Sequence, residues 1–138
     1  MNKKIDTVKY LGIPYKFKGR SFTEGMDCTT ILQAYFKELD YDLYIPDYTL
    51  DDRGTMKLAK VFVREVAKIV SENILIPTIK ELQPHDLVCF CTLRHFISMV
   101  GVYVDEKRVL CIPHKGTSML IKLDSEWKHK FRFGVRLI

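Results

Sequence analysis

The sequence predicts an α+β domain in which N-terminal helices pack on an antiparallel β-sheet. Three observations lead there. Apolar residues recur at helical spacing in the first half of the chain. After Pro77 the pattern changes to short runs rich in Val, Ile, Leu and Phe, and turn residues separate those runs closely. Helices first and strands afterwards favour an antiparallel sheet over alternating βαβ units. With 138 residues the chain has room for one compact domain, 1–138, and too little for two.

Residues 10–26 hold Gly12, Pro14, Gly19 and Gly25 among aromatics and predict an extended, loop-like start. A first helix is expected from Asp27 to Leu39. Asp27 is a good N-cap, and Cys28, Ile31, Leu32, Tyr35 and Leu39 fall on one stripe. Tyr41 to Gly54 is polar and turn-rich, with Pro46 and Asp51-Asp52-Arg53-Gly54. A second helix is expected from Thr55 to Glu72, apolar around more than half its circumference and therefore well covered. A meander of strands follows at Leu87–Cys91, Met99–Val104, Arg108–Ile112, Ser118–Leu123 and Phe131–Ile138. Pro84-His85-Asp86, Asp105-Glu106-Lys107 and Pro113 to Gly116 are the intervening turns.

Composition narrows the function classes. Apolar residues make up 47 % and charged residues 28 %, which excludes a disordered segment. No run reaches the ~20 apolar residues of a membrane helix, and no apolar stretch follows Lys3-Lys4, so neither a spanning segment nor a signal peptide is expected. The net charge of +5 is uneven: residues 1–20 carry +5, residues 121–138 carry +3, and the middle carries −3. If the termini meet they form a basic patch, open to nucleic acid, an anionic wall polymer or an acidic partner, or serving only as a solvated surface. The basic runs lack the aromatic interleaving of an RNA-binding motif, so nucleic acid is not the expected partner.

Cysteine placement carries the chemistry. Cys89 and Cys91 sit two apart in an alternating apolar run, without C-x-x-C spacing, and read as buried free thiols. No set of Asp, His and Cys has metal-ligand spacing, and nothing indicates an organic cofactor. Cys28 differs. It follows an N-cap Asp and opens a helix, where the dipole and unpaired N–H groups are expected to favour the thiolate and make a nucleophile.

Around Cys28 the chain reads Leu11-Gly12-Ile13-Pro14-Tyr15-Lys16-Phe17-Lys18-Gly19, then Gly25-Met26-Asp27-Cys28-Thr29-Thr30 and the helix. Later come Leu82-Gln83-Pro84-His85-Asp86-Leu87 and Ser98-Met99-Val100-Gly101-Val102-Tyr103. This order resembles the NlpC/P60 family of papain-like cysteine peptidases, whose hallmarks are P-Y-x-x-G-G-, D-C-S-G-, L-x-P-G-D-L- and S-H-V-G-I-Y-like segments. The resemblance covers most of the chain and implies a papain-like fold with Cys28 as nucleophile. It also implies that Tyr15 lies near the active site, with Asp27 and Thr29 contacting the amino-terminal end of a substrate. The family cleaves peptide stems of bacterial cell walls, and copies occur in bacteriophage tail tips. The implied partners are thus a cell-wall peptide or neighbouring tail and structural proteins, and the implied setting is a phage particle or the cytoplasm.

The departures are equally specific. The family histidine that opens the S-H-V-G-I-Y strand is Met99 here, and the third polar position, on the next strand, is Cys111. Neither side chain can shuttle the proton that thiol catalysis needs, and together near Cys28 they make the site apolar, which is expected to raise its thiol rather than lower it. The Gly of P-G-D is His85, a turn residue, and His129 belongs with Lys128 and Lys130. His95 and His114 are the remaining candidates for a base. His95 lies four residues before Met99, roughly 13 Å along an extended strand, and His114 follows Pro113. Three functions stay open. The first is a degenerate wall-peptide hydrolase domain with Cys28 kept and its histidine lost, associated with a phage tail. The second is an active endopeptidase using Cys28 with His95 or His114. The third is a basic nucleic-acid-binding or structural module with steeply salt-dependent binding.

Overall fold

A computed structural model describes residues 4–44, 64, 67–91, 99–113 and 116–137. The chain begins with a 3-10 turn (Val8–Tyr10) and a two-stranded hairpin, β1 (Arg20–Ser21) and β2 (Gly25–Met26). The main helix follows directly, α1 (Cys28–Lys37). Residues 64 and 67–72 are helical, which agrees with the end of the expected second helix; its earlier part lies outside the described residues. Then come β3 (Ile74–Ile76), β4 (Leu87–Phe90), β5 (Met99–Asp105), β6 (Arg108–Cys111), β7 (Met119–Lys122), a short helix (Ser125–Lys130) and β8 (Phe131–Arg136). The fold is α+β with antiparallel pairing throughout the main sheet, as expected.

The strands do not form one continuous meander. The sheet order is β3-β8-β4-β5-β6-β7, so the last strand inserts between β3 and β4. Every side chain of β4 is buried, and a central strand cannot leave its backbone groups unpaired. β8 supplies that second partner, with Leu87 opposite Val135 and Val88 opposite Gly134. The helix Ser125–Lys130, which the strand pattern did not foresee, carries the chain back from the β7 edge. Its Trp127 packs edge-on against Phe90, with centroids 5.5 Å apart. β3 was also not foreseen: three residues before Pro77, two of them exposed, show no alternation.

Alternation along β4 and β5 divides the interior in two. Leu87, Cys89, Val100 and Val102 meet Ile31, Leu32, Tyr35 and Phe36 of α1. Val88, Phe90, Met99 and Tyr103 face a second cluster with Val109, Cys111 and Ile121, closed by Trp127 and Phe131. Between β5 and β6 the backbones approach so closely that a Cβ on Gly101 would lie 2.7 Å from the Leu110 carbonyl oxygen. That closeness is why glycine stands in the Val-Gly-Val-Tyr run. An ion pair joins the neighbouring strands β8 and β4: Arg136 at the end of β8 donates to both oxygens of the buried Asp86, just before β4, at 3.0 and 2.9 Å.

Candidate active site

The site begins with the cap of α1. Asp27 has extended backbone and is buried. Its Oδ1 accepts the backbone N–H groups of Thr29 (2.9 Å) and Thr30 (2.8 Å) and the Thr29 hydroxyl (2.7 Å). Thr30 completes the capping box by accepting the Asp27 N–H at 2.9 Å. Oδ2 accepts the Lys18 N–H at 2.8 Å, so the turn before β1 wraps the carboxylate. Asp27 and Thr29 do flank Cys28, as the family pattern implies, but the Asp27 carboxylate and the Thr29 hydroxyl are engaged with the chain itself.

Tyr15 joins them. It forms a parallel bridge with Met26, two residues before Cys28, and its ring packs with Cys28 against the first cluster. The Tyr15 N–H donates to Gly116 at 3.0 Å, which pins the N-terminal segment to the chain just before β7. Four residues scattered in the motif list, Tyr15, Asp27, Cys28 and Thr29, are thereby neighbours in space.

Cys28 is partly exposed and free. Its thiol is nevertheless pushed up to about 12, first by withdrawal from water and next by the Asp27 charge. Of the two opposed expectations for Cys28, the apolar surroundings outweigh the helix start. Asp27 takes the Thr29 and Thr30 N–H groups, and its carboxylate adds a negative charge beside the sulfur; the Cys28 N–H still favours the anion but is outweighed. A hydrogen bond from the Val100 backbone works the other way and is outweighed. No side-chain pattern could have revealed that contact, since it comes from the main chain of β5.

Met99 and Cys111, which the motif resemblance set at the positions of the family histidine and third polar residue, both lie in the second cluster. Cys111 is close enough to raise the Cys28 thiol further, and its own thiol is pushed up to about 12 by burial. The sulfur of Cys28 therefore sits at the seam between the clusters, against Val100. His95 and His114 lie outside the described residues. His85 does occupy a turn, in the left-handed region at φ 77. Its Nδ1 meets the Tyr35 hydroxyl at 2.7 Å. Tyr35 is seven residues along α1 from Cys28, roughly 10 Å at 1.5 Å per residue, so His85 serves the far end of the helix. His129 lies in the last turn of Ser125–Lys130, whose Trp127 packs on the second cluster. Among the described residues no three His, Cys, Asp or Glu side chains converge to hold a metal ion.

Comparison with known proteins finds the same family and fold. A family model described as the NlpC/P60 family matches residues 12–136. Among solved structures, one similar chain is a lipoprotein-like NLP/P60-family protein of Staphylococcus aureus, with TM-score 0.61 and 19 % identity over 99 % of this chain and 43 % of that one. A second is the NlpC/p60 domain of the peptidoglycan hydrolase SagA, with TM-score 0.58 and 17 % identity over 94 % and 91 %. A third is an NlpC/P60-family protein of Bacillus cereus, with TM-score 0.58 and 20 % identity over 93 % and 36 %. The chain thus spans less than half the length of the first and third. Curated protein sequences yield no match.

Proposed function

Since the chain belongs to the NlpC/P60 family, we propose that it is a cell-wall-peptide hydrolase domain with a degenerate catalytic site, one that engages wall peptides without turning them over. The observation that carries this reading is the apolar packing of Met99 and Cys111 beside Cys28 at the start of α1. The nucleophile position is kept at the start of α1, yet the thiol stands at about 12 beside a buried carboxylate. Met99, which the motif resemblance sets where the family carries its histidine, packs into an apolar cluster. A missing general base typically costs about 10²–10⁴-fold in rate, and a thiol held protonated costs more. The substrate class rests on the family and on the hydrolase named among its structural relatives. A phage tail is the setting we favour, because a domain that grips wall peptide without cutting it suits a particle held together by neighbouring structural proteins.

The test pairs two measurements on wild type and Cys28→Ala: release of peptides from purified peptidoglycan, and binding of peptidoglycan in a pull-down. Binding by both proteins with no Cys28-dependent release is the expected result. Release that depends on Cys28 would overturn the degenerate reading in favour of an active endopeptidase, and His95→Ala and His114→Ala would then identify its base. Met99→His adds a gain-of-function arm: appearance of cleavage would show that the rest of the cleft is still assembled.

A further inference from the structure

We propose that the candidate site takes wall peptides whose amino end is acylated, as in a stem still joined to its glycan, and does not recognise a free amino terminus. The proposal rests on the wall-peptide reading above and names the form of the peptide. The family pattern sets Asp27 against a substrate's amino end; in this chain the carboxylate has no bonding position left for one. Four donors of the chain converge on it. Oδ1 accepts the Thr29 and Thr30 N–H groups and the Thr29 hydroxyl, at 2.9, 2.8 and 2.7 Å, and Oδ2 accepts the Lys18 N–H at 2.8 Å. A carboxylate offers about four lone-pair sites, so the set is complete. Asp27 is also closed off, at 5 % exposure, whereas Cys28 and Thr29 after it are partly exposed. A ligand reaching the start of α1 meets the sulfur and the threonine, and not the charge.

The donor on Oδ2 is fixed in place. Lys18 stands in the left-handed region at φ 59, a conformation that residues other than glycine adopt at a cost. Its turn is held against β2 at both ends. The Lys16 N–H donates to the Met26 carbonyl at 2.9 Å, and the Gly19 N–H closes the turn onto the Lys16 carbonyl at 2.8 Å. A Cβ on Gly19 would collide with the Gly25 carbonyl, so the two backbones touch there. Backbone strain persists only where the surroundings over-determine it. Here they aim one N–H at the oxygen that an incoming ammonium would need.

Selectivity follows from the cost of burying charge. An ammonium that displaced one of these donors would leave a buried N–H or hydroxyl unpaired, and one that stayed at the rim would be screened by water. An acylated amino end carries no charge to desolvate, and its N–H needs only one acceptor. An ammonium seated against a buried carboxylate would favour the free peptide by about a hundredfold or more. A screened one favours it by no more than about fivefold.

Isothermal titration calorimetry of the full chain reads this ratio directly. The probe is a synthetic stem tripeptide, L-Ala-γ-D-Glu-L-Lys, free or acetylated at its amino end; the lysyl ammonium is common to both forms and cancels. The expected result is binding of both with affinities within about fivefold, or tighter binding of the acetylated form. A larger preference for the free peptide would overturn the proposal and leave the wall-peptide reading standing. Binding of neither would overturn both, which keeps the two failures apart. Thr29→Ala removes one donor from Oδ1 and opens space beside it. The ratio of free to acetylated affinity should then rise about fivefold or more, a change that partial loss of folded protein does not produce. An unchanged ratio in Thr29→Ala, with its circular dichroism that of the wild type, would also overturn the proposal.

Discussion

Substituting Asp27 by Asn tests the account of Cys28 directly. In the wild type the thiol rises from 9.0 to about 12, so at pH 8 the thiolate fraction falls roughly a thousandfold below that of an ordinary thiol. A more basic thiolate is intrinsically more reactive, which restores part of that loss and leaves alkylation about fiftyfold slower. The log of the iodoacetamide rate at Cys28 should climb steadily from pH 6 to 10 with no plateau, a shape that steric access does not alter. In Asp27→Asn the Oδ1 bonds to Thr29 and Thr30 survive and the charge disappears. About tenfold more thiolate then forms, which the lower nucleophilicity reduces to about threefold faster labelling. The same variant sets an amide NH₂ against the Lys18 N–H that Oδ2 accepted, at a cost of about 1–3 kcal/mol in stability. Peptide mapping by mass spectrometry separates Cys28 from Cys89, Cys91 and Cys111. A plateau beginning near pH 6 in the wild type would refute the reasoning, because it would mean an imidazolium stabilises the sulfur. Unchanged labelling in Asp27→Asn would refute the role given to the cap.

Three further outcomes follow from the same geometry. Arg136→Met leaves the Asp86 carboxylate, 2 % exposed, without its ion-pair partner; the expected loss is about 3 kcal/mol, read as a fall of roughly 10 °C in Tm, and a fall under 2 °C would contradict it. Alkaline pH should destabilise the fold, because Cys28, Cys89 and Cys111 stand at about 12 when folded against 9.0 as the ordinary value. The raised folded value means their contribution is complete below about 9 and is lost as pH climbs toward 12. Thermal unfolding at pH 7, 9 and 10.5 checks this, with Cys89→Ala expected to soften the drop; a Tm that does not fall above pH 9 would count against buried thiols. At His85, whose φ of 77 favours glycine, His85→Ala should be about 1 kcal/mol less stable than His85→Gly. Both lose the Tyr35 bond, so equal stabilities by urea unfolding would show that the backbone there is unstrained.

The α+β class, the helix after Asp27 and the strands from Leu87 onward were legible because they rest on local periodicity, capping and turn chemistry, which a linear pattern records. The neighbourhood of Tyr15, Asp27, Cys28 and Thr29 was legible through motif order. β3, at Ile74–Ile76, and the helix at Ser125–Lys130 were not, since three residues are too few for a period and the helix shows one apolar side chain, Trp127, among charged ones. What only tertiary structure decided was the return of β8 to the free edge of β4, where the backbone groups of a buried strand had to be paired, and with it the Asp86–Arg136 contact between residues 50 apart. It also decided the state of Cys28. The sequence by itself placed a thiol at a helix start, where field and N–H groups favour an anion, with Met99 and Cys111 as apolar neighbours that oppose it, and it could not weigh the two. Folding gave the Thr29 and Thr30 N–H groups to Asp27 and withdrew the sulfur from water against β5, and desolvation with a neighbouring carboxylate outweighs the end of a helix dipole.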